Sequence, residues 1–171
     1  YKTPTISGFT ASIGMADGAY SDTTVGGMQY ATTAGDASVT LKYAFESAGK
    51  ATSSSTAVDE TSLGLVLSMG GATLTVAQQS SETGDSTYDY QASGAAIAYA
   101  VSDSLTVEAF SGETENDGTT DASFKFKETG YGITYTITSG LSLSLTNNTW
   151  DQDGTTDEDG TNTAIAIDIS F

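Results

Sequence analysis

Between residues 60 and 69 the chain reads ETSLGLVLSM. Leu63, Leu65, Leu67 and Met69 fall on one parity, and Gly64, Val66 and Ser68 on the other. A period of two belongs to an extended strand with one bulky and one small face. The same alternation returns at 37–47, where Val39, Leu41, Tyr43 and Phe45 interleave with Ser38, Thr40, Lys42, Ala44 and Glu46. It returns at 141–150 with Leu141, Leu143 and Leu145 against Ser142, Ser144 and Thr146, and at 88–101 with Ile97, Tyr99 and Val101 against Ala96, Ala98 and Ala100. The last segment, 161–171, sets Ile165, Ile167, Ile169 and Phe171 against Ala164, Ala166, Asp168 and Ser170. Large apolar groups at a chain end are wasted unless something covers them.

This periodicity predicts about ten strands, at 5–15, 23–32, 37–47, 60–69, 72–81, 88–101, 104–113, 123–137, 141–150 and 161–171. No 3.6-residue periodicity of any length competes with it. The connections alternate in length. Residues 34–36, 70–71, 102–103 and 138–140 are tight turns, three of them carrying Gly, which supplies the positive φ such turns need. Residues 16–22, 48–59, 82–87, 114–122 and 151–160 are longer and mostly acidic. Strands joined by minimal turns at one end and long polar loops at the other form an antiparallel up-and-down meander, the pattern of a transmembrane β-barrel. In a soluble sandwich the outward face carries many charged side chains. Here the second face is mostly Gly, Ser, Thr and Ala, and charge gathers in the loops, so lipid is expected against the bulky face and a water-filled lumen against the small one. Tyr30, Tyr99 and Phe171 fall near the short-turn ends, and Tyr43, Phe45, Tyr88, Tyr90 and Trp150 near the long-loop ends, where two aromatic girdles are expected. The competing reading is an acidic surface structural protein or adhesin built from antiparallel strands.

Composition narrows the function. The 171 residues hold 22 acids against 5 lysines, with no arginine, histidine or cysteine, for a net charge of −17. Phosphate binding needs a basic surface, so nucleic acid is excluded as a partner. Without His or Cys there is no Ser-His-Asp set, no thiol nucleophile and no ordinary zinc site, so no enzyme and no cofactor are expected. No run of apolar residues is long enough for a transmembrane helix. No secretory signal pattern is visible, and the first residue is Tyr1 rather than methionine, so processing or cleavage ahead of it is expected. The motif DGTTD occurs at 117–121 and 153–157. Asp151, Asp153, Asp157 and Asp159 are the candidate ligands for a weakly bound Ca²⁺, although the spacing is not that of an EF-hand. A solvated acidic loop explains the same residues.

The terminal strand resembles the C-terminal signature of bacterial outer-membrane barrels, on Ile165, Ile167, Ile169 and Phe171. The opening YKTPTISGFTASIGMADG resembles the strand that follows the constriction loop in general diffusion porins, on Tyr1, Thr3, Pro4, Gly8 and Phe9. Such porins have about sixteen strands. The resemblance implies that this chain is the later part of one, ending in a strand read by the barrel assembly machinery, in a homotrimer in the outer membrane of a Gram-negative bacterium. It implies passive transport of small hydrophilic solutes and ions. The arginine cluster usual on the porin wall is absent, and Lys42, Lys125 and Lys127 replace it in part, which removes the ground for anion preference. Parity places Lys42, Glu46, Glu108 and Asp168 on the lumen side, and these are the expected pore-lining charges. With acids crowding the mouth, the expectation is a cation-preferring channel.

Overall fold

The computed structural model describes residues 1–17, 22–49, 57–84, 89–117, 123–154 and 157–170. The strands are β1 (Phe9–Asp17), β2 (Asp22–Ala34), β3 (Ala37–Ala48), β4 (Val58–Met69), β5 (Ala72–Thr83), β6 (Asp89–Ser102), β7 (Leu105–Asn116), β8 (Phe124–Thr138), β9 (Leu141–Asp153) and β10 (Glu158–Ile169). They form one ten-stranded sheet in sequence order, every neighbour antiparallel. The sheet is open, with β1 and β10 at its two edges. At β4–β5, Gly70 and Gly71 have φ of 57° and 82°, the pair of positive values that a two-residue hairpin turn with the natural strand twist requires.

Register carries each strand's parity to its neighbour, so the local alternations merge into two faces. On one, Leu41 pairs with Tyr30 and Leu65, Leu65 with Val76, Leu74 with Ile97, Tyr99 with Val107, Ile133 with Leu145, and Leu145 with Ile165. That is a continuous apolar belt around the whole sheet. Nothing packs on it. Among the described residues no apolar side chain is buried, and Ile165, Ile167 and Ile169 are 73%, 66% and 61% exposed. A belt of this extent, with no second layer over it, is the surface that lipid covers in a barrel. Among the described residues no helix is long and apolar enough to cross a membrane.

Three local features differ from the periodic reading. First, the strand expected at 5–15 is a hairpin. Ser7 and Gly8 adopt φ of 51° and 84°, and the Ile6 and Phe9 amides each donate 2.9 Å bonds to the other's carbonyl. Residues 1–6 therefore turn back along the outer edge of β1, with the Thr3 amide donating to Ala11 O at 2.8 Å and the Ile13 amide to Tyr1 O at 2.9 Å. Second, the large apolar residues of β8 change parity between Phe124 and Phe126 and the set Tyr131, Ile133, Tyr135 and Ile137. The sequence allows this to be a bulge near 127–130 or an extension of the strand beyond the apolar layer, and β8 has no such bulge. Pairing runs without a shift from Phe124 to Thr136, and the irregularities lie instead at Thr136/Thr138 and Ala100/Ser102, beside short turns. The apolar belt simply stops at Tyr131 while the strand continues. Third, the girdles are only partly as expected. Tyr43 and Phe45 share the belt face, their ring centroids 6.2 Å apart, whereas register puts Tyr90 and Trp150 on the opposite face. Tyr88 and Phe171 lie outside the described residues.

Candidate functional site

The face opposite the belt is concave. A hollow of about 510 Å³ touches β3, β4, β5, β6, β7 and β8 at once, which only a sheet curled toward that side permits. Its floor is built from Gly64, Ala77, Ala92, Gly94 and Gly112. The small residues that alternate with the belt thus leave open space where six strands converge.

All four expected lumen charges lie on this face, but the sheet does not gather them. Lys42 and Glu46 share one face of β3, and Lys42 reaches the hollow. Glu108 on β7 lies over Gly132 of β8, to which it is paired. Asp168 on β10 stands apart near the short turns, beside Ser142. Three further acids share the concave face, one of them Glu158, which pairs with Gln152 at the long-loop end of β10. Glu60 pairs directly with Glu46 across β3 and β4, and the Ser81 hydroxyl donates to Glu60 Oε1 at 3.3 Å. Glu128 on β8 pairs with Trp150, and its Oε1 accepts a hydrogen bond from the Asn148 side-chain amide. Glu60 has the parity of Ser62 and Gly64, so alternation alone points to it. Glu128 was hidden by the end of the apolar belt, which made the phase of β8 ambiguous.

The lysines of β8 are on the other face. Lys125 Nζ lies 2.6 Å from Glu113 Oε1 and 3.5 Å from Glu115 Oε2, above the belt on the convex side. Its hydrogen bond to Glu113 holds its pKa above the usual lysine value, against a smaller opposing effect of desolvation. Neither Lys125 nor Lys127 contributes to the concave wall in place of the missing arginines.

The candidate calcium ligands lie at the long-loop ends of β9 and β10, with Asp151 and Asp159 directly opposite each other. Asp151 pairs with Lys127 on one side and Asp159 on the other, Asp153 pairs with Lys125, and Asp157 accepts a 3.4 Å bond from the Gly154 amide. Among the described residues no three acidic, His or Cys side chains converge as a metal site would. Residues 118–121 of the first DGTTD copy lie outside the described residues. Ile165, Ile167 and Ile169 face outward, paired with Leu145, Leu143 and Leu141.

No protein-family model matches the sequence, and no curated protein sequence matches it. Solved structures do. OccAB4 of Acinetobacter baumannii superposes with a TM-score of 0.76 at 8% identity, over 98% of this chain and 51% of that one. An anion-selective porin from Comamonas acidovorans gives 0.72 at 17% identity, over 100% and 58%. A BenF-like porin from Pseudomonas fluorescens Pf-5 gives 0.68 at 14% identity, over 95% and 55%. The chain spans between half and three fifths of the length of these three structures. Their walls and this one share a fold.

Proposed function

We propose that this chain, whose fold is that of an outer-membrane porin wall, forms part of a passive channel for small hydrophilic solutes that prefers cations. The observation that carries the sign of the preference is the imbalance on the concave face. Glu46, Glu60, Glu108, Glu128, Glu158 and Asp168 share that face among the described residues, against Lys42 and Lys2, which pairs with Ser12 beside β1. The pairing of Glu46 with Glu60 doubles the negative charge at one point on the wall. In a narrow aqueous path between low-dielectric walls such charges act more strongly than in bulk water. One structural neighbour is described as anion-selective, so this fold accommodates the opposite sign and the wall's own charges must decide.

Two bare edges in lipid would leave backbone groups unsatisfied, so further strands closing the wall belong to the proposal. So do the trimer and the reading of the last strand by the assembly machinery, both supported by the porin likeness and by the outward row of isoleucines. The adhesin reading is disfavoured by the uncovered belt, which a water-soluble protein would have to hide.

Reversal potentials of the full protein in planar bilayers under a KCl gradient test the preference. The expected outcome is selectivity for K⁺ that declines as salt rises and screens the wall. Selectivity for Cl⁻ at low salt would end the reading.

A further inference from the structure

The apolar side chains on the concave face are not spread evenly. Phe110, Phe126 and Trp150 lie on neighbouring strands β7, β8 and β9, Phe110 level with Gly130, Trp150 level with Glu128, and Phe126 two residues further toward the long loops. Glycines of the next strand seat two of them. A Cβ on Gly130 would lie 2.5 Å from Phe110 Cζ. A Cβ on Gly160 would lie 2.7, 2.8 and 2.8 Å from Cζ2, Cε2 and Nε1 of Trp150. The edge of the indole that carries Nε1 therefore rests on Gly160, in the space a Cβ would take. Phe126 runs nearly parallel to the indole, with centroids 6.0 Å apart and 21° between planes. Neither ring is fully buried.

The charged neighbour on this side is anionic. Glu128 is on the strand of Phe126, pairs with Trp150, and borders the same hollow as Phe126. The lysines of β8 point to the convex face, and Lys42 is on β3, at the far side of the hollow.

We propose that Phe126, Trp150 and Glu128 form a capture site for organic cations, such as quaternary or aromatic ammonium ions, in the long-loop half of the channel. The proposal deepens the channel reading above and rests on it. Aromatic faces attract a weakly hydrated cation through the ring quadrupole, and a carboxylate beside them adds a charge that water only partly screens. An anion meets repulsion at the same place. A neutral sugar gains stacking without the charge term.

The test is block of KCl current through the full protein by phenyltrimethylammonium added from the long-loop side, with maltose and benzoate as comparisons. Concentration-dependent block by phenyltrimethylammonium alone is expected. Trp150→Ala should weaken it roughly fivefold, with Trp150→Tyr restoring most of it. Gly160→Ala, which lifts the indole from its seat, should weaken block and serves if Trp150→Ala does not assemble. The K⁺/Cl⁻ reversal potential of the wild-type protein is read beside the block, so K⁺ preference without block overturns the aromatic site alone, and loss of K⁺ preference overturns the channel reading itself. Block by maltose at equal or lower concentration would replace the proposal with a carbohydrate site. Block by none of the three, or equal block in wild type and both the Trp150→Ala and Gly160→Ala variants, would overturn it.

Discussion

Ser7 and Gly8 show how one side chain sets the course of the chain. Both take positive φ, but Gly8 also lies so close to the Ala31 carbonyl that any Cβ would collide with backbone. Gly8→Ala should therefore destabilise the assembled barrel by roughly 2 kcal/mol, from the left-handed conformation and the collision together. Ser7→Gly should act in the opposite sense, stabilising by up to about 1 kcal/mol, because it removes a Cβ from a left-handed position without touching a contact. Urea titrations of the detergent-folded protein would read both, and equal effects of the two substitutions would refute the turn assignment. Single residues also mark where parity reading reaches its limit. Lys42, Glu46, Glu108 and Asp168 were legible because each sits in an unbroken alternation. Glu60 was passed over because it stood at the edge of its expected strand, and Glu128 because Phe124 and Phe126 had already reversed the apparent face.

At the scale of the strand, the hydrophobic period identified the right number of elements because lipid, unlike a folded core, demands the same residue class along the whole outer face. The period fails where that demand stops. Above Tyr131, Leu145 and Ile165 the outward positions become Thr129, Asn147 and Thr163, then charged groups, although pairing continues to Lys125 and Asp153. The strand ends were placed too low for this reason, and Trp150 was assigned to a girdle although it is turned inward. A substitution pair tests the assignment of faces. Ile167→Lys puts an ammonium into the belt and should cost about 2–4 kcal/mol if it sits near the bilayer midplane, whereas Ala166→Lys, one residue away on the concave face, should cost far less. Thermal transitions of the two variants in detergent or bilayer would show the contrast, and similar losses would mean that the faces are inverted or both covered. The hairpin at Ser7–Gly8 shows in the alternation only as one misplaced residue, Ile6, which falls on the parity opposite to Phe9, Ala11 and Ile13.

For the molecule as a whole, the two edges of the sheet are unlike. β1 is partly covered by residues 1–6 folded against it, and β10 offers its outer row of donors and acceptors with no described strand beside it. On the proposed channel reading, the wall's charge pattern predicts how ion selectivity responds to substitution. Lys42→Glu should raise the K⁺ preference, and Glu46→Gln with Glu60→Gln should lower it. Both effects should shrink between 0.1 and 1 M KCl as the Debye length falls from about 10 to about 3 Å. Reversal potentials insensitive to all three residues would place the ion path elsewhere. The extension of β9 from Asn147 to Asp153 beyond the belt also has a bearing on where solutes are first sorted. At about 3.4 Å per residue and a tilt near 45°, that collar lifts the entrance roughly 15 Å clear of the hydrocarbon. The head groups take up about 5–7 Å of that height, so the opening stands roughly one Debye length, ~8 Å in physiological salt, above their charges. The surrounding membrane's field is largely screened there, and in the proposed channel exchanging neutral for anionic phospholipid should shift selectivity less than Glu46→Gln with Glu60→Gln does.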